Sequence, residues 1–120
     1  MTQHASLSPE RWARFPRERQ LMMIANEMNR ATALMNADDG RSRGLAYERV
    51  LRLADLTIAV NPERALRREL LRWRDLVAAL YVDTVPDELA HRAVLRCLLQ
   101  LSPMTAAQIP YILDESISPA

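Results

Sequence analysis

Residues 61–81 read NPERALRRELLRWRDLVAALY. Leu66, Leu70, Trp73, Val77 and Leu80 recur three and four apart, the period of one helix face turned to a core. Asn61 as a cap, Pro62 at the first helical position and Glu63 beside the positive end of the dipole supply a start. The opposite face carries Arg64, Arg67, Arg68 and Arg72, spread over about 140° at 100° per residue. The stretch predicts an amphipathic helix to about Tyr81, apolar on one side and basic on the other.

The same start signal stands at Ser8-Pro9-Glu10 and opens a short helix that carries Trp12 and stops before Pro16. A second helix is expected from Pro16 to about Ala37, ahead of Asp38-Asp39-Gly40, with Leu21, Ile24, Ala25, Met28, Ala31, Thr32 and Met35 inward. The third, from about Ser42 to Val60, is apolar on two sides. Tyr47, Val50, Leu51, Ala54 and Ile58 line one side, and Leu45, Leu53, Leu56 and Val60 the other. Thr84 with Pro86-Asp87-Glu88 opens a helix to about Leu101, with Ala90, Ala93, Val94, Cys97, Leu98 and Leu101 inward. Leu89, Leu95 and Leu99 lie on its other side. Thr105-Ala106-Ala107-Gln108 reads as a capping box on a short turn limited by Pro110, and Asp114 to Ala120 as a frayed tail. No stretch alternates with period two. The expectation is a single all-α domain: a compact bundle of about four long helices over about 9–101, short helical segments at both ends, and a turn and tail over 102–120.

Composition narrows the chemistry. The chain has 120 residues, 49% of them apolar and 26% charged, with a formal net charge of +1. About two-thirds of the unfolded surface is buried at this length, enough for a core without staples. All sixteen basic residues are Arg, which removes phosphate-loop and Schiff-base lysines. One Cys and two His make neither a disulfide framework nor a self-sufficient zinc site. Two glycines cannot build a dinucleotide loop. Met1 to Ser8 lacks the pattern of a signal peptide, and no apolar run reaches the ~18 residues of a membrane span. A cytoplasmic protein without membrane contact or cofactor is expected.

Three polar features bear on function. Arg64, Arg67, Arg68 and Arg72 are a candidate phosphate-binding face, because guanidinium forks pair bidentately with phosphates. Their ordinary reading is a solvated face supported by Glu63–Arg67 and Arg72–Asp75 pairing. Glu88-Leu89-Ala90-His91 matches the Glu-x-x-His pair of carboxylate di-iron bundles, with Glu27 and Asp55 as further donors. Such a site needs two pairs, so Glu88 and His91 stand as weak metal candidates; in the ordinary reading Glu88 supports the helix start and pairs with Arg92, while Asp87 faces His91. The stretch from Leu98 to Ile109 resembles the entry to a helix-turn-helix, but Pro110 and Asp114-Glu115 leave no basic recognition helix. His91 is the one usable imidazole, and no base stands beside a nucleophile. Catalysis is not expected.

Glu27-Met28-Asn29-Arg30-Ala31, the run from Arg49 to Thr57, and Glu69-Leu70-Leu71-Arg72-Trp73-Arg74, with Trp12 near the start, resemble an uncharacterised family of small all-helical bacterial proteins. The resemblance covers about Arg11 to Tyr81 and leaves the segment after Val82 unmatched. It implies an all-helical fold and carries no assigned activity. Within it, Glu27, Arg30, Asp55 and Arg72 are candidates for a polar network between helices.

The apolar content exceeds one inward stripe per helix. Leu45, Leu53, Leu56, Val60, Leu89, Leu95 and Leu99 are therefore expected to form an interface, and the chain to be a non-catalytic protein–protein interaction module that pairs with itself as a homodimer or with another protein. Coverage of these faces by Trp12, Phe15, Ile109, Tyr111 and Ile112 within one chain is the competing arrangement. Nonspecific nucleic-acid or phospholigand binding through the Arg face is the alternative function.

Overall fold

The computed structural model describes residues 7–35 and 40–113. The described residues form seven helices and no strand: α1 (Pro9–Trp12), α2 (Arg17–Thr32), α3 (Gly40–Val60), α4 (Arg64–Val82), α5 (Glu88–Leu99), α6 (Pro103–Ala106) and α7 (Ile109–Ile112). The expected all-α class is therefore observed. Helix α2 is shorter than expected, since Ala33 caps it by donating to carbonyls of Asn29 and Ala31. Asp38, Asp39 and the tail from Asp114 lie outside the described residues.

Helices α3 and α5 each pack against both α2 and α4, while α1 lies on α3 and α6 on α2 and α5. The α3–α4 pair is antiparallel. Arg67 near the start of α4 donates to the Ile58 carbonyl at 3.2 Å, and Tyr81 at its end donates to Glu48 at 3.0 Å. The first bond also satisfies one of the carbonyls left free at the end of α3. Leu21, Ile24, Met28, Val50, Leu53, Leu70, Val77, Leu95, Leu98 and Leu99 fill the space between the helices, all fully buried.

The start expected at Ser8 forms, and another forms at Ser102, where none was expected. Ser8 accepts from the Arg11 amide ahead of Pro9, and Ser102 accepts from Met104 ahead of Pro103. Three expectations are corrected. Asn61 does not cap α4: its side-chain amide turns inward and donates to Gln20 Oε1 (2.9 Å) and the Thr57 carbonyl (2.8 Å). Glu63 takes the cap position without a side-chain bond. Asp87, not Thr84, caps α5 by accepting from the Ala90 amide at 3.0 Å. Thr105 opens no capping box, because its buried hydroxyl donates to the carbonyls of Leu99 and Ser102. At Asn61 and Thr105 buried acceptors claim the polar side chain, and leaving them bare costs more than an exposed cap contributes.

Helix α5 is rotated relative to expectation. His91, Val94, Leu95, Leu98 and Leu99 face inward, whereas Ala93 and Cys97 are exposed. The sequence reading set the stripe on Cys97 and treated His91 as polar, which displaced it by one position. Among the described residues no helix is long and apolar enough to cross a membrane.

Candidate functional site

Burial removes most of the expected interface. Leu53, Leu95 and Leu99 are fully buried, Leu56 nearly so, and Val60 is half-buried against the core. The reason is the number of neighbours. Helix α3 touches α1, α2 and α4 at once, so both its apolar sides are covered within the chain. Trp12 of α1 is fully buried and its indole N–H donates to Thr57 at 2.9 Å, which pins α1 over α3. Phe15, Ile109 and Ile112 pack against the same core, although Tyr111 stays exposed. Leu45 and Leu89 alone among the seven are exposed.

Leu89 is not isolated. Val82 and Val85 are each 73% exposed and Leu89 82%, and Tyr81 beside them is also exposed. These residues form the end of α4, its connection to α5 and the first turn of α5. Leu45 belongs to the same end of the molecule, because its neighbour Gly44 lies against the Tyr81 ring. The sequence reading passed over Val82 and Val85 as loop residues. Two valines in a connection that also holds Asp83 and Asp87 were the available signal, since a solvated loop gains nothing from them. Asp83, Asp87 and Glu88 are exposed around these side chains.

The arginine face is assembled at the other end of α4. Arg64, Arg67, Arg68 and Arg72, with Pro62, Leu71 and Asp75, line an open groove of about 470 Å³. The four guanidiniums are not equivalent. Arg67 is held by the Ile58 carbonyl, and Arg72 lies 3.7 Å from Glu69 in an exposed pair. Arg64 and Arg68 make no hydrogen bond or ion pair among the described residues. Leu71, at 48% exposure, sits among them.

His91 and Glu88 part company. Glu88 is exposed at the start of α5, whereas His91 is fully enclosed. The His91 Nε2 faces the Met28 carbonyl at 3.0 Å and the Thr32 hydroxyl at 2.9 Å. A carbonyl can only accept, so Nε2 carries the proton, and Nδ1 accepts the Tyr47 hydroxyl at 2.8 Å. Burial pushes the His91 pKa down; the Met28 bond opposes this, the Arg92 charge adds to it and Glu88 opposes it. Burial likewise raises the Tyr47 phenol to about 12, against the pull of Arg43. Both ring nitrogens are thus engaged where no substrate reaches them. Among the described residues no group of three or more His, Cys, Asp or Glu is placed to hold a metal ion.

The anticipated polar network exists with different partners. Glu27, buried on α2, binds Arg30 at 3.1 Å and Arg49 of α3 at 2.9 Å. Asp55 of α3 is paired by Arg74, not Arg72, through both carboxylate oxygens. These contacts hold helices together and leave the two ends of α4 as the functional candidates. No protein-family model, curated protein or solved structure matches this chain.

Proposed function

We propose that the protein is a non-catalytic helical interaction module that associates with copies of itself, acting in the cytoplasm and belonging to the small helical bacterial family its sequence resembles. The observation that carries this reading is the exposure of Val82, Val85 and Leu89 within residues 82–89. A chain able to bury Leu53, Leu95 and Leu99 completely leaves these three in water within one short segment, and large apolar side chains exposed together mark a contact. Light scattering behind size exclusion tests it. The mean mass should rise above the monomer between about 5 and about 200 µM, as mass action requires. A constant monomer mass over that range removes the reading.

Phosphate-backbone binding at the arginine groove is less well supported. Only Arg64 and Arg68 are uncommitted there, and the exposed Leu71 in the same groove gains nothing from a polyanion. A protein surface combining carboxylates with an apolar tip suits that lining better.

A further inference from the structure

The two ends of α4 are chemically complementary, and no single chain can bring them together. At one end Val82, Val85 and Leu89 protrude among Asp83, Asp87 and Glu88, all exposed. At the other, Arg64, Arg67, Arg68 and Arg72 line an open groove of about 470 Å³ with the exposed Leu71 and a single carboxylate, Asp75. The helix between Arg68 and Val82 is roughly 21 Å long, so the knob and the groove of one molecule never meet. We propose that the acidic, valine-tipped α4–α5 connection of one copy docks into the arginine-lined groove of the next, so that the protein assembles head to tail.

This inference rests on the self-association proposed above and specifies its geometry. Charge excludes two-fold contacts that set like surface on like surface. A two-fold contact between knobs would set Asp83, Asp87 and Glu88 against their own copies, and one between grooves would oppose arginine to arginine. Knob in groove instead sets the knob's carboxylates against the uncommitted guanidiniums of Arg64 and Arg68. It also places valine side chains on Leu71, the apolar residue within the basic lining. Arg64 and Arg68, which have no partner among the described residues, acquire one. Made once between two copies, the contact leaves one of each surface unused, so growth continues with concentration or closes into a ring; made twice about a two-fold axis, it closes a dimer.

Two variants separate this geometry from any other. Val82→Ser with Val85→Ser removes the apolar tip, and Arg64→Glu with Arg68→Glu reverses the groove. All four side chains are exposed, so both proteins fold, which circular dichroism checks. Each variant alone should self-associate at least about tenfold more weakly than the parent, because each lacks one half of the contact. Mixed in equal amounts, they should form a one-to-one complex and nothing larger, since one intact knob then meets one intact groove. The parent's association should also weaken as salt rises from about 50 to about 500 mM. A parent chain that stays monomeric overturns the self-association itself. If the parent associates but the groove variant does so equally well, or the mixture stays unpaired, the head-to-tail geometry alone is overturned. So it is if Arg64→Glu with Arg68→Glu abolishes retention of a labelled single-stranded RNA and leaves self-association intact, for the groove then serves nucleic acid.

Discussion

A histidine without exposed surface must satisfy two ring nitrogens inside the protein, and His91 does so only while neutral. Its Nε2–H points to Met28 and Thr32, and Nδ1 accepts from Tyr47. A second ring proton would face the Tyr47 oxygen, whose own hydrogen would lose its acceptor in the core. The folded state therefore resists protonation, in line with the lowered pKa, while the unfolded chain takes up a proton near pH 6.5. The unfolded state then binds more protons, so stability rises with pH. The His91 contribution is complete above about pH 6.5 and is lost as pH falls from there toward the lowered folded value. Urea unfolding at pH 7.5, 6.5 and 5.5 should show the parent weakening stepwise, while His91→Phe, less stable at pH 7.5 by about 1–3 kcal/mol, varies less. Parallel loss in both proteins would assign the effect elsewhere. The sequence identified His91 as the one usable imidazole but not its surroundings. Tyr47 and Thr32 lie on other helices, and no local spacing brings three such residues together.

At the scale of elements, helix existence was legible and helix starts were legible only where the cap is local. Ser8 bonds to the amide three residues on, a relation a sequence displays directly. Asn61 looks identical on paper, yet its amide spans α2 and α3 through Gln20 and Thr57. Gln20 in turn donates to the carbonyls of Trp12 and Phe15, so Asn61 is the last link of a chain that fixes the α1–α2 corner. The two roles respond oppositely to one substitution. In an exposed cap Asp serves as well as Asn. At the observed position Asn61→Asp removes both donors and sets a carboxylate against two carbonyl-type oxygens in a buried place. Asn61→Ala should cost about 1–3 kcal/mol, and Asn61→Asp distinctly more. Equilibrium denaturation of the two variants decides the matter: an Asp variant as stable as the parent would restore Asn61 to the role of cap. The same logic explains α5, whose stripe is centred on a buried polar residue that a hydrophobic count leaves out.

For the whole molecule, the question is where an apolar fraction of 49% goes. Counting one stripe per helix leaves a surplus on α3 and α5, although on α5 Leu95 and Leu99 belong to the core stripe itself. The count failed as an inference about surface because small helices cover large ones. Helix α1 has four residues, yet Trp12 closes one side of α3, and Leu113 together with α6 closes over α5 and α2. The described surplus that stays in water includes Val82, Val85 and Leu89 at the α4–α5 end, with Met104 and Tyr111 elsewhere. This division makes opposite demands on leucines that the sequence places in one group. Leu53→Ala and Leu99→Ala each open a cavity in a close-packed interior and should lower stability by about 2–5 kcal/mol. Leu89→Ala, at 82% exposure, should change it by less than about 0.5 kcal/mol. Its effect should fall on association, which light scattering reads independently of unfolding. A Leu89 variant that unfolds as readily as the Leu53 variant would mean that the α4–α5 end is held by packing within the chain, and the contact surface would have to lie elsewhere.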